Sequence, residues 1–101
     1  SRKMMVFSDL LVESNQAAAR LYRSFMEESP KVREVYHLAL ELVSSIRTVH
    51  GYWDANQGVL RDSPMALENY GIFNKYMVNE AKKGEELMRE STEVEKRQVQ
   101  A

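Results

Sequence analysis

Two prolines are the only ones in the chain, and both occur in the same setting. Ser29-Pro30-Lys31-Val32-Arg33-Glu34-Val35-Tyr36 and Ser63-Pro64-Met65-Ala66-Leu67-Glu68-Asn69-Tyr70 share the pattern S-P-x-x-x-E-x-Y. Proline inside a helix removes a donor and clashes with the preceding turn, costing about 3 kcal/mol, but it is well tolerated at the first helical position. A serine hydroxyl just before it can accept from an otherwise orphaned helix N–H. Both sites therefore read as helix starts, and the proline-free stretches between them are free to form long helices. The offset of 34 residues equals a tetratricopeptide period, but nothing beyond the shared start repeats.

Apolar spacing supports three helices. Helix A is expected over about 3–28, where Met4, Phe7, Leu11, Ser14, Ala18, Leu21 and Phe25 follow a 3–4 alternation, flanked by Leu10, Ala17, Tyr22 and Met26. Helix B is expected over about 30–50, with Val32, Val35, Tyr36, Ala39, Leu42, Val43, Ile46 and Val49 on its stripe and Gly51 as its stop. Between Gly51 and Ser63 the chain reads as a loop pinned by Tyr52 and Trp53. Helix C is expected over about 64–90, with a stripe of Tyr70, Phe73, Met77, Ala81, Gly84 and Met88. Gly84 either admits a neighbouring backbone or loosens the helix. From about residue 91 the apolar residues thin, and a frayed or solvent-exposed end is expected. The fold class is all-α: a single helical domain over 1–101, an up-down-up bundle of three long helices, with self-association completing the thin core.

Composition narrows the function classes. Fourteen Lys and Arg against fifteen Asp and Glu give a net charge of −1. Phosphate neutralisation dominates nucleic-acid affinity, so nucleic acid is not an expected partner. The absence of cysteine removes thiolate chemistry, disulfides and cysteine metal sites. The apolar stretch at the start is cut by Ser8 and Asp9, too short for a secretion signal, and no membrane span is present. A cytoplasmic or other intracellular location, not a secreted one, is the expectation. The chain begins at Ser1 rather than Met, which is compatible with a longer parent protein.

Candidate chemistry is sparse. Glu34 and His37 have the E-x-x-H spacing of di-iron bundles, but at about 100° per residue they lie far from helix B's apolar stripe. Asp54-Ala55-Asn56-Gln57-Gly58 opens like a calcium loop yet lacks its glycine and its closing glutamate at the required places. Leu21-Tyr22-Arg23, followed by Phe25, resembles the signature of the mitochondrial LYR-motif proteins. That resemblance implies a small helical assembly factor that often binds an acyl carrier protein. It covers only this stretch, and the family's basic character and its motif near the chain start are absent. No catalytic residue, cofactor or metal ligand is assigned.

One charge is notable. Glu80 falls within helix C's expected apolar arc, where a half-buried carboxylate would need a partner such as Arg47 or His50 at the end of helix B. The apolar residues that a single bundle covers least are Met5 and Val12 on helix A, Leu38 and Leu40 on helix B, and Ile72 and Val78 on helix C. These are the expected partner-binding residues. The reading is a non-catalytic helical interaction module, an adaptor, assembly factor or small subunit, contacting a protein partner or itself as a homo-oligomer. A dimeric regulator associated with nucleic acid and a small helical enzyme using Glu80 are the alternatives.

Overall fold

A computed structural model describes residues 1–101, and all of its regular structure is helical. Helix α1 spans Arg2–Phe25, α2 Val32–Leu60, α3 Pro64–Ile72 and α4 Ala81–Gln100, with a π-helical turn at Phe73–Met77 following α3. The all-α class holds, but there are four helices rather than three rods. The chain divides into two compact units: Met5–Ala55, and Asn56–Ala101 with Ser1–Met4. The division falls at Asn56, the residue within α2 whose dihedrals (φ −125°, ψ 21°) leave the helical region.

In the first unit α1 and α2 pack antiparallel. Phe7 meets Trp53 with ring centroids 5.5 Å apart, Ser14 and Ser45 share a hydroxyl–hydroxyl hydrogen bond of 2.8 Å, and Arg20 lies 3.8 Å from Glu41. Buried small residues, Ser14 and Ala17, occupy the middle of the α1 stripe, while Phe7, Val49 and Trp53 fill one end. The stop expected at Gly51 is absent. Gly51 remains helical, and α2 continues as far as Leu60. A glycine within a helix costs up to about 1 kcal/mol, which the burial of Trp53 two residues later outweighs, since a large aromatic contributes several times that. Trp53 is thus held against its neighbours as expected, but from within a helix.

The start of α2 also differs. Lys31, not Ser29, supplies the first carbonyl of the helix, accepting from the Val35 N–H at 3.0 Å, and residues 26–31 form the connection. Ser29 and Pro30 lie in the connection, so the first Ser-Pro pair does not open the helix it precedes. At the second Ser-Pro pair the expectation is met. Ser63 is extended (φ −104°, ψ 112°), its hydroxyl accepts from the Ala66 N–H at 3.1 Å, and Pro64 takes the first helical turn.

In the second unit the rod expected over 64–90 is instead a hairpin. Ser91 donates to the Pro64 carbonyl at 2.6 Å, Lys83 reaches the Tyr70 hydroxyl at 3.4 Å and Lys75 pairs with Glu85 at 3.3 Å, so α4 runs back along α3 and the π turn. Two features force the reversal. The Val78 N–H donates to the Phe73 carbonyl, the wider π spacing, and Asn79 adopts φ 60°, a conformation Asn tolerates better than most residues. Gly71 and Gly84 then let the two backbones touch. A Cβ on Gly84 would stand 2.5 Å from the Gly71 carbonyl oxygen, and one on Gly71 2.8 Å from that of Gly84. Of the two roles open to Gly84, close approach is the one it performs. Beyond residue 91 the chain stays helical to Gln100, with Ser91 and Val94 buried and every residue from Glu95 exposed.

Candidate interaction surface

Core and surface on the α1–α2 hairpin separate by helical phase. Taking about 100° per residue, Ser45, Val49 and Trp53 lie on one face of α2, and Val32, Tyr36, Leu40 and Val43 lie about 135° around from it. The first face is buried or half-buried, with Ser45 bonded to α1. The second is exposed along its whole length, Val32 reaching 85%. Val32, Tyr36 and Val43 were expected to face the core; they do not, because a stripe wide enough to touch two neighbours exposes whichever side lacks one.

The end of α1 tells a similar story. Tyr22, Phe25 and Met26 continue the sequence pattern of the buried residues Phe7, Leu11 and Ser14, yet all three are exposed. Because α1 and α2 are antiparallel and joined by a short connection, these three side chains lie at the same end of the hairpin as Val32 and Tyr36. Nine of the chain's fourteen exposed large apolar side chains belong to this unit, and seven of them fall between residues 22 and 43. Lone exposed apolar residues carry no message, and it is their concentration here that makes this end of the hairpin the candidate surface.

The expected partner-binding residues are distributed unevenly. Met5, Val12 and Leu40 are exposed and lie on the hairpin, whereas Leu38 is only half-buried and points to a different side of α2 from Leu40. Ile72 is exposed and Val78 half-buried, both in the second unit. Leu10, Glu13, Arg20, His37 and Glu41 line an open groove along the hairpin. Arg20 is held there between Glu13 at 3.1 Å and Glu41 at 3.8 Å, so its charge is already matched.

Glu80 requires a correction. It does not sit on an apolar arc. The helix expected to carry it is broken, and Glu80 stands exposed at the N-cap of α4, its N–H donating to the Asn74 carbonyl at 2.7 Å and its carbonyl accepting from Gly84. Its carboxylate therefore has no burial to offset. Arg47 is exposed and His50 half-buried on α2. Glu34 and His37 are both exposed, and no group of three or more His, Asp and Glu side chains is placed to hold a metal ion. No helix is long and apolar enough to cross a membrane.

Lys75 is electrostatically perturbed. The Glu85 carboxylate, which accepts a hydrogen bond from it, raises its pKa above the ordinary 10.5, with the neighbouring Tyr76 adding to the effect. Comparison with family models, with curated proteins and with solved structures finds no match. The surface must speak for itself.

The residues at the connection end were legible as apolar but not as exposed. Their hidden signal is the six-residue gap between the two helices: Val32 and Tyr36 open a new helix at a place where α1 has just ended, so neither has a full neighbour to pack on.

Proposed function

We propose that the chain is a non-catalytic helical interaction module, an adaptor or small subunit that docks through the connection end of its α1–α2 hairpin. The observation carrying this reading is the exposed apolar run of Tyr22, Phe25, Met26, Val32 and Tyr36, with Leu40 and Val43 extending it along α2. Two tyrosines within it have amphipathic rings of the kind enriched at protein interfaces, where they give large contact area for little lost side-chain freedom. Arg23, Glu27, Glu28, Lys31 and Arg33 surround it with both signs of charge, a polar rim suited to setting register rather than attracting a polyanion.

The test is a photoreactive benzoylphenylalanine placed at Tyr36, with a control at Glu93 on α4, each expressed in the source cells and irradiated. A discrete adduct at position 36 and none at position 93 is the expected result. Equal labelling at the two positions, or none at either, overturns the reading.

A further inference from the structure

A second exposed feature of the hairpin has a period of its own. Met5, Val12, Ala19 and Met26 are spaced seven residues apart and all four are exposed, Met5 to 69% and Val12 to 49%. They lie on the opposite side of α1 from Ala17 and Ser24, which are buried. A sevenfold apolar repeat on a helix drifts by about 20° per repeat, and two such helices keep their stripes in contact by wrapping left-handed around each other. From Met5 to Met26 the stripe runs for about 31 Å at 1.5 Å per residue.

We propose that the chain self-associates through this outer stripe of α1, two copies pairing antiparallel about a two-fold axis near Gln16. The proposal rests on the interaction-module reading and names a second copy as one of the partners. Charge selects both the occupant and the direction. Asp9, Gln16 and Arg23 flank one side of the stripe, again seven apart, and all are exposed. In an antiparallel pair centred on Gln16, Asp9 of one copy faces Arg23 of the other, and Gln16 faces its own equivalent. Met5 approaches the level of Met26 of the second copy, just past the end of α1. A parallel pair would instead set this flank against the uncharged Ser8, Asn15 and Tyr22 of the second copy, and neither Asp9 nor Arg23 would meet an opposite charge. The same surface patch serves both copies, the self-complementarity a closed two-fold dimer requires. Arg20 and Glu13 take no part, because they are already paired with each other.

Solution mass and site-specific cross-linking test this together. Light scattering on the full chain, from micromolar to millimolar, is expected to approach about 23 kDa, twice the 11.7 kDa of one chain. Val12→Glu, at an exposed position, is expected to raise the dissociation constant by about tenfold or more, the loss typical of a central interface residue, while Tyr36→Ser leaves it unchanged. The absence of native cysteine makes the direction readable with a short bismaleimide. Gln16→Cys is expected to cross-link efficiently. Asp9→Cys alone is not, because antiparallel copies hold those positions about 21 Å apart, whereas Asp9→Cys with Arg23→Cys is. A monomer at every concentration overturns the proposal, as does efficient cross-linking of Asp9→Cys alone. A dimer abolished by Tyr36→Ser but not by Val12→Glu also overturns it while leaving the interaction-module reading standing. A Tyr36 photo-adduct on a monomeric chain does the same.

Discussion

At the residue scale the glycines divide cleanly. Gly51 has nothing within 4 Å of where a Cβ would stand, whereas the Gly84 Cβ would collide with the Gly71 carbonyl and the Lys75 side chain. Gly51→Ala is therefore expected to stabilise the protein by about 0.5–1 kcal/mol, the ordinary gain of alanine over glycine in a helix. Gly84→Ala should gain the same propensity yet lose more to overpacking against backbone, a net loss of about 1–2 kcal/mol. Urea unfolding midpoints of the two variants, moving in opposite directions, check this. Lys75 supplies a pH prediction. Because Glu85 raises its folded pKa above 10.5, its contribution is fully present below that value and disappears as pH rises through the folded pKa. Lys75→Met should flatten the stability loss above about pH 10.5 while leaving the shape of the profile near neutrality unchanged, measured as Tm against pH. Sequence alone pointed to Gly84 as a close-approach site or a weak point. Choosing between them needed Gly71, thirteen residues away and on no shared stripe.

At the scale of elements the two Ser-Pro pairs are a lesson in local signals. Ser63 caps α3, so Ser63→Ala should cost about 1 kcal/mol, and Ser29→Ala, in a connection with no capping bond to lose, should change stability by less than about 0.5 kcal/mol. Thermal melts of both variants test the contrast. The motif is identical at the two sites, so the local signature alone does not decide whether its serine caps a helix. Helix α1 and most of α2 were legible because their apolar period runs unbroken. The break at residues 78–80 was not. Its sequence, Val78-Asn79-Glu80, carries neither glycine nor proline, and the residues on both sides keep a helical apolar period. Only the packing of α4 back on α3 makes the strained Asn79 worthwhile. Asn79→Gly should accordingly be neutral or mildly stabilising, and β-branched Val at that position should cost about 1–2 kcal/mol.

For the whole molecule the balance between core and surface matters more than any single bond. Twelve buried apolar residues form the core, and fourteen large apolar side chains remain exposed. That ratio explains why apolar patterning could identify helices but could not say which stripes face inward. Each stripe on the hairpin is a valid packing face, and a sequence does not state how many neighbours a helix has. Tyr22→Ser with Tyr36→Ser should therefore leave the melting temperature within a few degrees of wild type, since neither side chain is buried, while reducing any contact made through the connection end. Differential scanning calorimetry beside the photo-adduct yield from a benzoylphenylalanine at Phe25, in the same exposed run, separates the two effects.

Trp53 is the only tryptophan, and it lies 2% exposed against Phe7, within Met5–Ala55. The chain thus carries its tryptophan reporter in one of its two compact units and none in the other. Emission near the blue end of the indole range, shifting red on heating, would follow the surroundings of Trp53, while circular dichroism would follow helices from both units. If the two curves superimpose, the kink at Asn56 transmits unfolding as one event. If the fluorescence curve departs from the dichroism curve, the halves melt in sequence, and the order in which they do so can be read without adding a single label.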